Sequence, residues 1–157
     1  MIFSSTFGGT IRNIIGSYML KSPGPISIYS GVQPDPDTFE GSWSSYNSTN
    51  SNFLGHFTKA SMLGNITQAN VGGSTTFGTL TPSANITPAH NGIASWAVIW
   101  DSSVNAAPAS GTIPTTNYII VDAGHITSNA SIRFTNTTFS TSTPVRIESV
   151  GFDLGQG

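Results

Sequence analysis

Hydrophobic residues recur along this chain at two spacings, and the change from one to the other divides it. Ile11, Ile14, Ile15, Tyr18 and Met19 stand at i, i+3, i+4, i+7 and i+8. That places them on one face of a 3.6-residue period and predicts an amphipathic helix with Thr10 as its N-cap. Gly16 weakens the helix by about 1 kcal/mol relative to Ala, and the Ser22-Pro23-Gly24-Pro25 cluster ends it. Such a helix lies against the domain's sheet or orders on a partner, which makes Ile11, Ile15 and Tyr18 candidate protein-contact residues.

After Pro25 the period falls to two. Ile26, Ile28 and Ser30 alternate with Ser27 and Tyr29, predicting a short strand before Gly31. Residues 32–52 form a long polar stretch that carries Trp43 and Tyr46, and a loop of that length is usually functional or an interaction arm. Phe53 to Lys59 reads as a strand with Phe53 and Phe57 on one face, and Thr75 to Leu80 as another. Asn91-Gly92 suits a type I′ turn. It precedes the most apolar run, Ile93 to Trp100, in which Trp96, Val98 and Trp100 face one way and Ala97 and Ile99 the other. A strand apolar on both faces is covered on both. Tyr118 to Val121 has the same character, and Ser102 to Asn117, with Pro108, Gly111 and Pro114, reads as a loop. Ile132 and Phe134 alternate with Arg133 and Thr135, and Val145 and Ile147 with Arg146 and Glu148. The apolar phase then slips by one to Val150, which calls for a β-bulge near Ser149 to Val150. About seven or eight short strands predict a mainly β domain, an antiparallel sandwich or barrel-like fold with a short N-terminal helix. The expected organisation is a single domain over 1–157, with 1–24 as helix and linker and 25–157 as a β body.

Composition changes the picture in one respect. Charged residues make up only 8% of the 157, against about 25% in ordinary soluble domains. In their place stand 23 Ser, 20 Thr and 12 Asn. With a net charge of -2, the chain cannot neutralise many phosphates, so neither nucleic acid nor an anionic membrane surface is expected as a partner. Little charge also means little repulsion between copies, so self-association is expected. There is no cysteine, which excludes disulfides, thiolate metal sites and thiol nucleophiles. The hydrophobic share of 37% with almost no net charge argues for a folded core over disorder. No apolar run is long enough to span a bilayer as a helix, and the first residues lack the apolar core and cleavage site of a secretory leader.

Candidate chemistry is sparse. His56, His90 and His125 share no short ligand spacing, so no metal site is expected. Asp35-Pro36-Asp37-Thr38-Phe39-Glu40 resembles part of a calcium loop but lacks its third oxygen ligand and turn glycine, and reads as a solvated acidic turn. Gly72-Gly73 has no following lysine and reads as a turn, not a phosphate cradle. No nucleophile elbow occurs. No enzymatic activity and no cofactor are expected. Five Asn-x-Ser/Thr sequons, at Asn47, Asn65, Asn85, Asn129 and Asn136, fit chance in a chain so rich in these residues. Trp43 and Tyr46 read as core-covering aromatics, a sugar-stacking platform or a protein-contact anchor.

The segment Gly24-Pro25-Ile26-Ser27-Ile28-Tyr29-Ser30-Gly31-Val32-Gln33-Pro34 resembles one found in small β-rich structural virion proteins of tailed bacteriophages. These are similar in opening with an amphipathic helix and a strand ending in an IYSGxQP-type turn. They continue with a Trp-bearing strand, here Ala94 to Asp101, and close with strands like Ala130 to Thr135 and Val145 to Val150. The stretch around Trp43 and the Pro108 to Pro114 loop depart from that pattern. The resemblance implies a virion component made in the bacterial host cytoplasm, whose partners are other virion proteins. A capsid decoration or cement protein bound to the major capsid protein is the first expectation. A neck, tail or baseplate component, or a carbohydrate- or receptor-binding module, is the alternative. The resemblance carries over no catalytic residue.

Overall fold

The apolar run after Asn91 becomes the spine of the molecule. In the computed structural model, which describes residues 25–58, 62–63, 68–71, 74–77, 81–82, 85–101, 104, 118–150 and 153–154, it forms the nine-residue strand β7 (Gly92–Trp100). On one side β7 pairs with β1 (Ile26–Ser30), which in turn pairs with β2 (Phe53–Phe57). Residues 96–100 also pair with β8 (Tyr118–His125), while Gly92 and Ile93 take β10 (Thr138–Phe139). β8 continues to β9 (Ile132–Phe134) and β9 to β11 (Ser149–Val150). The result is a mainly β fold, a seven-stranded, mostly antiparallel sheet curled into a half-barrel, with little helix among the described residues. The expected helix with Ile11, Ile15 and Tyr18 lies outside the described residues, as does nearly all of 102–117.

Both faces of this sheet are buried at its centre, along β1, β2 and the second half of β7. One carries Ile26, Ile28, Leu54, Phe57, Ala97, Ile99, Ile132, Phe134, Phe139 and Val150 among others, drawn from all seven strands. For seven strands to share one core the sheet has to curl around it. The other face carries Tyr29, Phe53, Trp96, Val98 and Trp100. The alternation along β7 is therefore the one its sequence predicts.

Two bulges set which residue goes where. Tyr29 pairs with Trp96 but Ser30 with Ala94, so Ser95 is an extra residue on β7. Likewise Ile28 pairs with Gly55 but Tyr29 with Phe53, so Leu54 is extra on β2. A bulge shifts the side-chain phase by one. Phe53 and Phe57 therefore lie on opposite faces, not the shared face their spacing predicts. At the other end of the chain Glu148 N donates to Arg133 O at 2.8 Å while Ser149 also pairs with Arg133. Two residues opposing one absorb the predicted slip, and Ile147 and Val150 both reach the first core.

Two expectations are corrected. Among the described residues only Gly31 has positive φ, at 85°, so Asn91-Gly92 is not a type I′ turn. Gly92 is the first residue of β7, where a Cβ would lie 2.7 Å from Leu54 Cδ2, and Asn91 Oδ1 accepts from Thr141 N. The sheet also contains one parallel pair, β8 with β9. Parallel neighbours normally need a crossover of a dozen or more residues; here residues 126–131 double back. Ile126 N donates to Phe134 O and Ser131 N to Asp122 Oδ1.

Between β2 and β7 the chain makes a separate excursion. β3 (Met62–Leu63) pairs with β6 (Thr81–Pro82), and β4 (Gln68–Val71) with β5 (Ser74–Phe77), in nearly one register. β12 (Asp153–Leu154) adds to β5, giving the order β12-β5-β4.

Candidate functional site

The long polar stretch after β1 is where the sequence places its contact residues. It is built to enter the molecule. Asp35 caps a single helical turn, α1 (Pro36–Phe39), its carboxylate accepting from Asp37 N at 2.9 Å with Pro36 at the first position. The acidic run is thus a cap and first turn, and among the described residues no three metal-ligating side chains cluster. A 3-10 turn over Trp43–Ser45 follows, and Asn47 and Asn50 then accept from the backbone two residues on, turning the chain into β2.

These turns deliver Phe39, Trp43 and Tyr46 onto the second face of the sheet. Trp43 retains 4% of its surface and Phe39 none, while Tyr46 is half-buried. Tyr29 stacks on Trp96 with ring centroids 4.2 Å apart and planes 9° apart. Tyr46 meets Trp96 edge-on at 5.3 Å, and Trp43 meets Trp100 at 5.9 Å. Tyr118 Oη donates to Glu40 Oε1 at 3.2 Å, tying β8 to the segment. All three tryptophans of the chain are therefore in one internal cluster. Trp43 is corrected from a contact or sugar-stacking candidate to a core residue, since its indole offers no free face. Tyr46 packs beside it. Asn47 is buried too, held through Ser44 O and Thr49 N, so that sequon is an internal turn.

The segment that carries the virion resemblance is likewise explained by packing. Gly31 takes the left-handed conformation that turns the chain out of β1. Its carbonyl accepts from the bulge residue Ser95 at 2.6 Å, and Ser30 O accepts from Trp96 Nε1 at 3.3 Å. Beyond this turn Val32 is 89% exposed, and Ile93 at the start of β7 is 63% exposed.

Each histidine is engaged locally. His90 Nδ1 donates to Phe53 O at 2.8 Å, and the neighbouring Ala89 N donates to Leu54 O, so this strap covers part of β2's outer edge. His125 Nδ1 accepts from Thr127 N and Thr127 Oγ1 in the turn after β8. His56 ends a buried chain: Trp100 Nε1 donates to Ser27 Oγ at 2.8 Å, and Ser27 Oγ lies 3.0 Å from His56 Nδ1. When the Ser27 hydroxyl donates onward, the imidazole proton resides on Nε2, which is buried with no partner among the described residues. Burial pushes this imidazole from 6.5 down to about 4.

A groove of about 320 Å³ is lined by Asn85, Thr135, Asn136, Thr143, Arg146 and Glu148, with Pro144 and Val145 among the rest. Arg146 binds Glu148 in two places, at 2.8 and 3.1 Å, and Thr135 donates to the same carboxylate. These bonds hold the Glu148 carboxyl below its usual range. Because the two charges cancel, the groove presents neutral donors and acceptors. Sequence reasoning missed it, since Asn85 and Thr143 are brought together only by the Ile86–Val145 bridge. Comparison with protein-family models, with curated proteins and with solved structures returned no match.

Proposed function

We propose that this chain is a structural component of a tailed-phage virion, a capsid decoration or cement protein that binds neighbouring capsid subunits and is made in the bacterial host cytoplasm. The observation that carries the reading is the neutrality of the surface. Between described residues a single ion pair forms, Arg146 with Glu148, while the large aromatics are spent inside. A face of Ser, Thr and Asn loses little on desolvation compared with one of Lys and Glu, and can hydrogen-bond across an interface. The mechanism is adhesion by a sheet buried on both faces at its centre that presents its rims and turns to neighbours. The IYSGVQP resemblance supports the same reading.

Mass spectrometry of purified particles tests it. Many copies of the chain per particle are expected, with density on the outer capsid surface when the particle is imaged. Particles that lack the chain sink the proposal.

A further inference from the structure

The excursion between β2 and β7 presents an edge that nothing among the described residues covers. β4 pairs with β5 on one side only, in the order β12-β5-β4. Natural edges are blunted by lysine, proline, bulges or a covering segment. The edge of β2 has its strap through Ala89 and His90, and β11 is only two residues long. By contrast, the 21 residues from Met62 to Pro82 contain no Asp, Glu, Lys, Arg or His, and no proline before Pro82.

The register tells which backbone groups face away from β5. Val71 pairs with Ser74 across a two-residue connection, and such a connection closes on a hydrogen-bonded pair. Alternation along an antiparallel ladder then turns the backbone amides and carbonyls of Asn70 and Gln68 outward, away from β5.

We propose that this edge docks a second copy of the chain by antiparallel pairing of β4 with β4. A two-fold axis at Ala69 places Gln68 opposite Asn70 of the partner, so that the outward groups meet in two hydrogen-bonded pairs. The contact is isologous and closes at a dimer. Self-pairing is the occupant that the composition favours, because an arm without charge meets its own copy with no electrostatic penalty. It also extends the three-stranded sheet β12-β5-β4 into one of six strands.

The test is sedimentation velocity of the purified full-length chain from micromolar to hundreds of micromolar. The wild-type chain is expected to dimerise. Asn70→Pro removes an outward N–H from both copies and should weaken the dimer by about tenfold or more, with tryptophan emission unchanged because all three tryptophans lie in the aromatic cluster on the second face of the main sheet. Should that variant misfold, Asn70→Lys decides: it should be monomeric at low salt and recover dimer at high salt as the repulsion is screened. A wild-type chain that stays monomeric throughout, or a dimer that tolerates both variants, overturns the inference. The virion reading stands apart from it: a dimer absent from particles sinks only that reading, and a monomer abundant in particles sinks only this one.

Discussion

The chain Trp100–Ser27–His56 ties three adjacent strands through side chains on their second face, and its members need each other. Ser27→Ala leaves the Trp100 N–H and the His56 ring nitrogen without their partner, which should cost about 1–3 kcal/mol, read as a lower urea midpoint. The imidazole adds a pH dependence whose sign follows from burial. Its folded value, about 4, lies below the ordinary 6.5, so below pH 6.5 the unfolded chain binds the extra proton. Stability is then full above pH 6.5 and falls as pH drops through 6.5 toward 4, by up to about 3 kcal/mol. Urea unfolding across that window should show the loss, and His56→Gln should remove this part of the slope; an unchanged slope refutes the assignment. Gly124 gives a steric test. A Cβ there would stand 2.6 Å from Ser128 Oγ and 3.0 Å from Ala130 Cβ. Ser128 cannot swing away without breaking its bonds to His125 O and Ala130 N. Gly124→Ala should therefore destabilise by about 1–3 kcal/mol and loosen the parallel β8–β9 pair, seen as faster amide exchange at Ile126; an unaltered melting temperature contradicts this.

At the scale of elements, the segment between β1 and β2 acts as a plug on the second face. Trp43→Ala should cost about 3–5 kcal/mol, as expected for truncating a buried large aromatic, and flatten the near-ultraviolet dichroism of the tryptophan cluster. A change within about 0.5 kcal/mol, usual for surface positions, means that the segment is not core. That role was only half legible in the sequence. Trp96, Val98 and Trp100 declare their face by strict alternation, but 32–52 contains so few apolar residues that its burial rests on Phe39, Trp43 and Tyr46 alone, and no period announces them. The slip before Val150 was legible because apolar residues stand on both sides of it. The bulges at Leu54 and Ser95 were not, because an inserted residue that is itself apolar or small leaves no break in the pattern. Gly92 was misread for a related reason: a glycine kept for close packing under Leu54 looks the same in sequence as one kept for positive φ. The groove beside Arg146 depends on a single long-range bridge, and long-range pairing has no local signature.

For the whole molecule, low charge is the property that reaches from composition to behaviour. A net charge of -2 and one ion pair between described residues leave little for salt to screen. The screening length falls from about 10 Å at 0.1 M to about 3 Å at 1 M, a change that dissolves complexes held by opposed surface charges. Complexes held by apolar contact and neutral hydrogen bonds lose little over the same range, whereas urea weakens both terms. If the chain is bound to particles through its neutral surface, the fraction retained after washing should be nearly the same at about 0.1 and 1 M sodium chloride and should fall with urea at concentrations that leave the chain folded. Particles that shed the chain in salt alone would place the binding energy in charges that this surface scarcely has, and the adhesive role argued from its neutrality would fail with it.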